Sequence, residues 1–168
     1  MAATTQVSVR EYLSTTYDPD CDYVDGEIVE RNVGEHDHGR LQGLTFAFLL
    51  SREKLWGIRV VLETRVQVRP DRFRIPDVGV LAGDSPREQI ITRPPILCIE
   101  VLSPKDRLSR LQDRIDDYFS MGVPHVWILD PESRRGYHYT SDGMREVKDG
   151  ILRLPGSPVE VPIAELFD

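Results

Sequence analysis

Apolar positions recur along the chain with two distinct periods, and the changes between them mark out the elements. Over residues 7–16, Val9, Tyr12 and Leu13 repeat at helical spacing behind Ser8, a residue suited to cap the first turn. Tyr23-Val24-Asp25-Gly26-Glu27-Ile28-Val29-Glu30 then alternates around an Asp-Gly step, the favoured two-residue turn of a hairpin. From His38 to about Trp56 the helical spacing returns with Leu41, Leu44 and Phe48, with Asp37 placed to cap it and Gly57 to stop it. Residues 58–69 alternate again, Val60, Leu62, Val66 and Val68 against Arg59, Glu63, Arg65 and Gln67, which predicts one long half-buried strand.

The next two strand-like runs, 74–82 and 96–102, are almost continuously apolar, as central strands covered on both faces are. A polar, proline-containing loop from Gly83 to Pro95 separates them. Ser103-Pro104 predicts the opening of a helix, with serine as cap and proline in the first helical position; Leu108, Leu111, Ile115 and Tyr118 form its stripe, and Gly122 and Pro124 end it. Residues 125–130 read as another buried strand, followed by a short run at Tyr137-His138-Tyr139. Strand, crossover helix and strand make a βαβ unit, and the flanking hairpins predict a mixed central β-sheet within an α+β fold.

Two acids interrupt the most apolar runs: Asp77 in Arg74-Ile75-Pro76-Asp77-Val78-Gly79-Val80 and Glu100 in Ile96-Leu97-Cys98-Ile99-Glu100-Val101-Leu102. A buried, unpaired carboxylate costs several kcal/mol, so such residues are paired, hydrogen-bonded or bound to a cation. On adjacent strands, Asp77 and Glu100 with the carbonyl of Val101 would form a hard oxygen cluster suited to Mg²⁺ or Mn²⁺. Such an ion activates water and polarises a phosphoryl oxygen, the chemistry of phosphodiester hydrolysis. The alternative assigns Asp77 to backbone hydrogen bonds at a strand end, and Glu100 to an ion pair with an arginine, for which Arg114 is available.

At 168 residues, with 40% hydrophobic and 29% charged side chains, the chain is expected to form a single domain over 1–168. No run approaches a membrane span, and Met1-Ala2-Ala3-Thr4-Thr5 lacks the features of a signal peptide, so the expected location is cytoplasmic. Two cysteines, Cys21 and Cys98, are expected as free thiols. A net charge of −7 argues against broad electrostatic binding of nucleic acid but leaves room for a local basic groove, such as one built from Arg107, Arg110 and Arg114 at i, i+3 and i+7.

Several stretches, in this order and spacing, resemble the Uma family of restriction endonucleases, a branch of the PD-(D/E)xK nuclease superfamily. They are residues 23–29, the His38 helix, Ile75-Pro76-Asp77-Val78, Ile99-Glu100-Val101-Leu102-Ser103-Pro104, Tyr118 to Pro124, residues 126–131 and Ile163-Ala164-Glu165-Leu166-Phe167. The resemblance implies a restriction-endonuclease-like core flanked by helices, preceded by the N-terminal helix and hairpin. It implies DNA as partner, Asp77 and Glu100 as metal ligands, and roles for His38 and Glu27, with Glu30 a further acid nearby.

The superfamily lysine is missing two residues after Glu100, where Leu102 stands. The resemblance places its substitute on the following helix at Arg114. Arginine is too basic to deprotonate water but suits a phosphate clamp. Lys105 is the alternative ammonium. A homodimer is compatible with double-strand cleavage, and the rival readings are a non-cleaving module that binds nucleic acid or protein and a hydrolase of smaller phosphoesters.

Overall fold

The computed structural model describes residues 6–32 and 34–167. The first five residues, read above for targeting signals, lie outside them. Among the described residues no helix is long and apolar enough to cross a membrane.

Helix α1 (Val9–Ser14) begins where expected, with the Ser8 hydroxyl accepting from the Glu11 amide at 3.1 Å. Strands β1 (Asp22–Val24) and β2 (Glu27–Val29) form the predicted hairpin. Its turn needs left-handed backbone at both central residues, and Asp25 (φ 52°) and Gly26 (φ 95°) supply it.

The helix expected from His38 to Trp56 is two helices: α2 (His36–Leu50) and the single turn α3 (Glu53–Trp56), which ends on left-handed Gly57. Its N-cap is Glu35, so Asp37 lies in the first turn instead of capping it.

The long strand expected over 58–69 is also two strands, β3 (Ile58–Leu62) and β4 (Val66–Arg69), which belong to different sheets. Glu63 takes φ 44° between them, and that left-handed residue turns the chain out of one sheet into the other. Pro76 divides the next run in the same way. Strand β5 (Arg72–Arg74) joins β4, and β6 (Val78–Ala82) joins β3.

Strands β7 (Leu97–Val101) and β8 (Val126–Asp130) are parallel and joined by α4 (Leu108–Met121), the predicted crossover. This helix starts later than predicted, behind Arg107. Ser103 instead anchors a tight turn, its amide donating to Asp106 Oδ2 at 2.7 Å and Asp106 N donating to its carbonyl.

Strands β9 (Arg135–Thr140) and β10 (Gly143–Glu146) complete a six-stranded mixed sheet of order β10-β9-β8-β7-β6-β3. A four-stranded antiparallel sheet, β2-β1-β5-β4, stands beside it. Strands β11 (Ile151–Arg153) and β12 (Glu160–Pro162) form a separate hairpin before a closing 3-10 turn (Ile163–Leu166).

Burial follows the period-two parity of the central strands. Leu97, Ile99 and Val101 face α2 and the C-terminal hairpin together with Trp127 and Leu129. Cys98 points to the opposite face, where it packs with Ile128 and with Ile115 and Tyr118 of α4. Glu100 belongs to that α4 face, one residue pair from the end of the sheet. Both cysteines are buried free thiols, as expected.

Candidate active site

Register brings the two acids together. Strands β6 and β7 pair Val78 with Ile99 and Gly79 with Cys98, so one further step sets Asp77 opposite Glu100. Both are almost fully buried, at 3% and 2% exposure.

Asp77 sits where Pro76 has ended the preceding strand, and its carboxylate is well supplied with donors. Arg31 Nη2 donates to Oδ1 at 2.8 Å, and the Val101 amide donates to Oδ2 at 2.8 Å. His38 Nε2 approaches Oδ2 at 3.5 Å from the first turns of α2. Burial alone would raise the Asp77 pKa, but the His38 bond and the nearby Arg114 and Arg31 charges outweigh it and hold it below the usual aspartate value. Reciprocally, the bond to Asp77 lifts His38 above the ordinary histidine value, against the opposing effect of burial.

Glu100 receives the Tyr118 hydroxyl on Oε1 at 2.5 Å and Arg114 Nη2 on Oε2 at 2.9 Å. Here burial wins. Despite Arg114, desolvation, with repulsion from Asp77, pushes Glu100 up from the ordinary 4.5 to about 7. Two carboxylates facing each other thus diverge in proton affinity because the His38 bond and two guanidinium charges outweigh burial at Asp77, whereas burial and the facing Asp77 charge outweigh Arg114 at Glu100.

A cleft of about 280 Å³ opens beside Glu100, with Asp22, Arg74, Asp106, Arg110 and Arg114 among its lining residues. Asp22 is as buried as Glu100; it accepts from Arg74 Nη1 and the Ile75 amide, both at 3.1 Å, and lies 3.8 Å from Arg114 Nε. Behind this wall, Asp117 takes Arg69, Arg72 and Arg74 at 2.9, 3.0 and 2.7 Å, tying β4 and β5 to α4.

The residues proposed from sequence therefore divide. Asp77, Glu100, Arg114 and His38 converge, and the Val101 amide joins them. Glu27 is exposed on the hairpin and does not line the cleft, whereas its neighbour Glu30 does. Lys105 is 72% exposed with its nitrogen 4.0 Å from Glu35, and Leu102 packs into the α4 core. Both hydrogen-bonded alternatives weighed for the acids are present: Asp77 accepts a backbone amide and Glu100 pairs with Arg114. Sequence reasoning missed Arg31, Asp22 and Glu63. A buried acid in the short strand before an Asp-Gly turn was the available signal for Asp22, while Arg31 carries no periodic signal at all.

Donor chemistry suits a hard divalent cation, since both side chains offer carboxylate oxygen on neighbouring strands. Charge is already balanced, however, by one guanidinium on each acid, and among the described residues no three His, Cys, Asp or Glu side chains group as metal ligands. Neither guanidinium is fully satisfied. Among the described residues Arg31 Nε and Arg114 Nε are both buried without a hydrogen-bond partner, as is His38 Nδ1. The acid pair thus fits a cation once a guanidinium shifts, and the orphaned donors suit an anion such as phosphate.

Residues 9–161 match the model of the Uma2 family, described as "putative restriction endonuclease", and the chain belongs to that family. A crystal structure described as a putative nuclease belonging to DUF820, from Anabaena variabilis ATCC 29413, superposes with a TM-score of 0.83 at 23% identity, covering 96% of this chain and 97% of that one. That likeness establishes a nuclease-like fold. A DrdV–DNA complex solved by cryo-electron microscopy aligns at a TM-score of 0.40 and 14% identity over 73% of this chain and 10% of that one, too distant to support an argument. No curated protein matches.

Proposed function

We propose that the protein hydrolyses phosphodiester bonds of DNA with a divalent cation, Mg²⁺ or Mn²⁺, held by Asp77, Glu100 and the carbonyl of Val101. The observation that carries this reading is the placement of two buried carboxylates opposite each other on neighbouring strands, beside a cleft lined by Arg114. When bound, the ion would polarise the phosphoryl oxygen and lower the pKa of a water. The chain's own residues supply the rest. Arg114 cannot serve as a base, but its orphaned Nε makes it the clamp for the phosphate and for charge developing on it. His38, with its raised pKa, holds a proton on the Asp77 side, where it can bind a phosphate oxygen or protonate the leaving group. Tyr118 fixes the carboxylate of Glu100. A homodimer would place two such clefts on the two strands of a duplex.

A second reading is favoured by one specific observation, the charge balance of the site. If Arg31 and Arg114 stay on their acids, the protein is a nuclease-fold module that binds DNA without cutting it. Incubating plasmid with the protein and Mn²⁺, beside Asp77→Asn, Glu100→Gln and Arg114→Ala, separates the two. Hydrolysis predicts nicking by wild type that both acid variants lose; DNA retardation with no nicking in any sample supports the binding module and refutes hydrolysis.

A further inference from the structure

We propose that Arg31 is a built-in counter-cation for Asp77, occupying the place where a divalent ion binds and leaving it when the ion arrives, which makes it a positioning residue for both metal and phosphate. This rests on the reading of Asp77 as a metal ligand and adds which group the ion must displace.

The two oxygens of Asp77 are not equivalent. Oδ2 is committed to the fold through the Val101 amide at 2.8 Å, with His38 Nε2 at 3.5 Å, whereas among the described residues Oδ1 is taken by the Arg31 side chain alone. A second carboxylate addresses the same guanidinium: Glu63 Oε1 lies 3.7 Å from Arg31 Nη1.

Glu63 is held there at a cost. Its φ of 44° places a non-glycine residue in the left-handed region, and such conformations persist where surrounding contacts over-determine them. Those contacts are on hand, since its amide donates to the Asp77 carbonyl at 3.3 Å and Gln42 Nε2 donates to both the Glu63 carboxylate and the Asp77 carbonyl at 3.1 and 3.2 Å. Strained backbone therefore aims Glu63 and Asp77 at one cation, with Glu63 half exposed and both Arg31 and Asp77 largely buried.

Of the two guanidiniums in the site, Arg31 is the one suited to leave. Arg114 Nη2 is held at 2.9 Å by both Glu100 and the Ile75 carbonyl, with Asp22 behind it. Among the described residues Arg31 makes one short hydrogen bond, its Nη1 contact is long, and its Nε is buried without a partner. A divalent ion held by Asp77 would carry more charge than the guanidinium, and repulsion between the two cations at such short range would drive Arg31 away. Displaced, Arg31 would have its whole donor fork free for a phosphate oxygen.

The test is calorimetric titration of Mn²⁺ into metal-free wild type, Arg31→Gln, Arg31→Lys and Asp77→Asn. Removing the competing cation should tighten Mn²⁺ binding by about tenfold or more in Arg31→Gln, with Arg31→Lys between the two and Asp77→Asn abolishing it. Unchanged or weaker binding by Arg31→Gln, with wild-type binding still lost in Asp77→Asn, overturns the role of Arg31 and leaves Asp77 as a ligand. No Mn²⁺ binding by either wild type or Arg31→Gln, or binding that survives Asp77→Asn, overturns the metal reading itself.

A second measurement needs no glutamine variant to fold. In ¹⁵N NMR of the wild type, the Arg31 Nε–H signal, assigned by its loss in Arg31→Lys, should move toward that of a solvated arginine as Mg²⁺ is added. A signal unmoved at saturating Mg²⁺ contradicts displacement.

Discussion

Replacing Glu100 with glutamine isolates the contest between burial and ion pairing in this site. Burial beneath α4 holds the Glu100 carboxyl at about 7 against an ordinary 4.5, even though Arg114 opposes the shift. Below pH 4.5 the folded and unfolded chains both carry this proton. Between 4.5 and 7 the folded chain keeps a proton that the unfolded chain has released, so stability falls as pH rises, and above 7 the loss is complete. A displacement of this size corresponds to about 3 kcal/mol. Glutamine keeps the shape and an acceptor for Tyr118 or Arg114 but does not titrate. The stability of wild type relative to Glu100→Gln should therefore decline by about 3 kcal/mol from pH 4.5 to 8. Asp77, with its lowered pKa, titrates below this range, and His38 titrates in both proteins and cancels in the difference. Urea denaturation at half-unit pH steps measures it. A difference that stays flat or grows with pH would mean that Glu100 is already ionised in the fold at pH 5, so that Arg114 dominates and the reasoning from burial is wrong.

Other expectations follow from the same contacts. Proton NMR should place the His38 titration above 6.5 in wild type and lower in Asp77→Asn, since its largest cause is the Asp77 bond; the stability it contributes is fully present below 6.5 and lost as pH rises through the raised value. Asp117→Asn removes the charge that three arginines share in a buried position, and chemical denaturation should register a loss of about 3–5 kcal/mol. Gly83→Ala places a methyl group 2.7 Å from the Gly57 carbonyl oxygen, which itself accepts the Gly83 amide, so about 1–3 kcal/mol of stability should be lost without any change in Mn²⁺ affinity.

Periodicity made much of this fold legible. The Ser8 cap, the Asp25-Gly26 turn and the β7-α4-β8 crossover each follow from signals within a few residues, and each is present, the crossover helix beginning at Leu108 instead of Pro104. Breaks inside a continuing pattern were not legible. Residues 58–69 keep one alternating register apart from Val61 and Thr64, yet a left-handed Glu63 divides them between two sheets, because alternation reports which face is buried and not which sheet buries it. Pro76 did give a local signal of division, and the strand ends there. Ser103-Pro104 carried a helix-start pattern that a competing turn, closed by Asp106, used instead.

At the site, Asp77 and Glu100 stood out because charge in an apolar strand demands compensation. What compensates them came from elsewhere in the chain. Arg31, 46 residues before Asp77 and outside any element, could not be paired with it from spacing. Glu27 shows the opposite case: its place in a hairpin near the site left open which side of the strand would face the cleft, and it is exposed outside it.

The most direct test of the central claim is a crystal structure of the protein with Mn²⁺ and a short DNA duplex, the ion located by its anomalous scattering. Mn²⁺ is expected on oxygens of both Asp77 and Glu100, with Arg31 withdrawn from Asp77 and Arg114 directed at a phosphate. Anomalous density elsewhere, or none, with both guanidiniums still on their acids and DNA in the cleft, would contradict it.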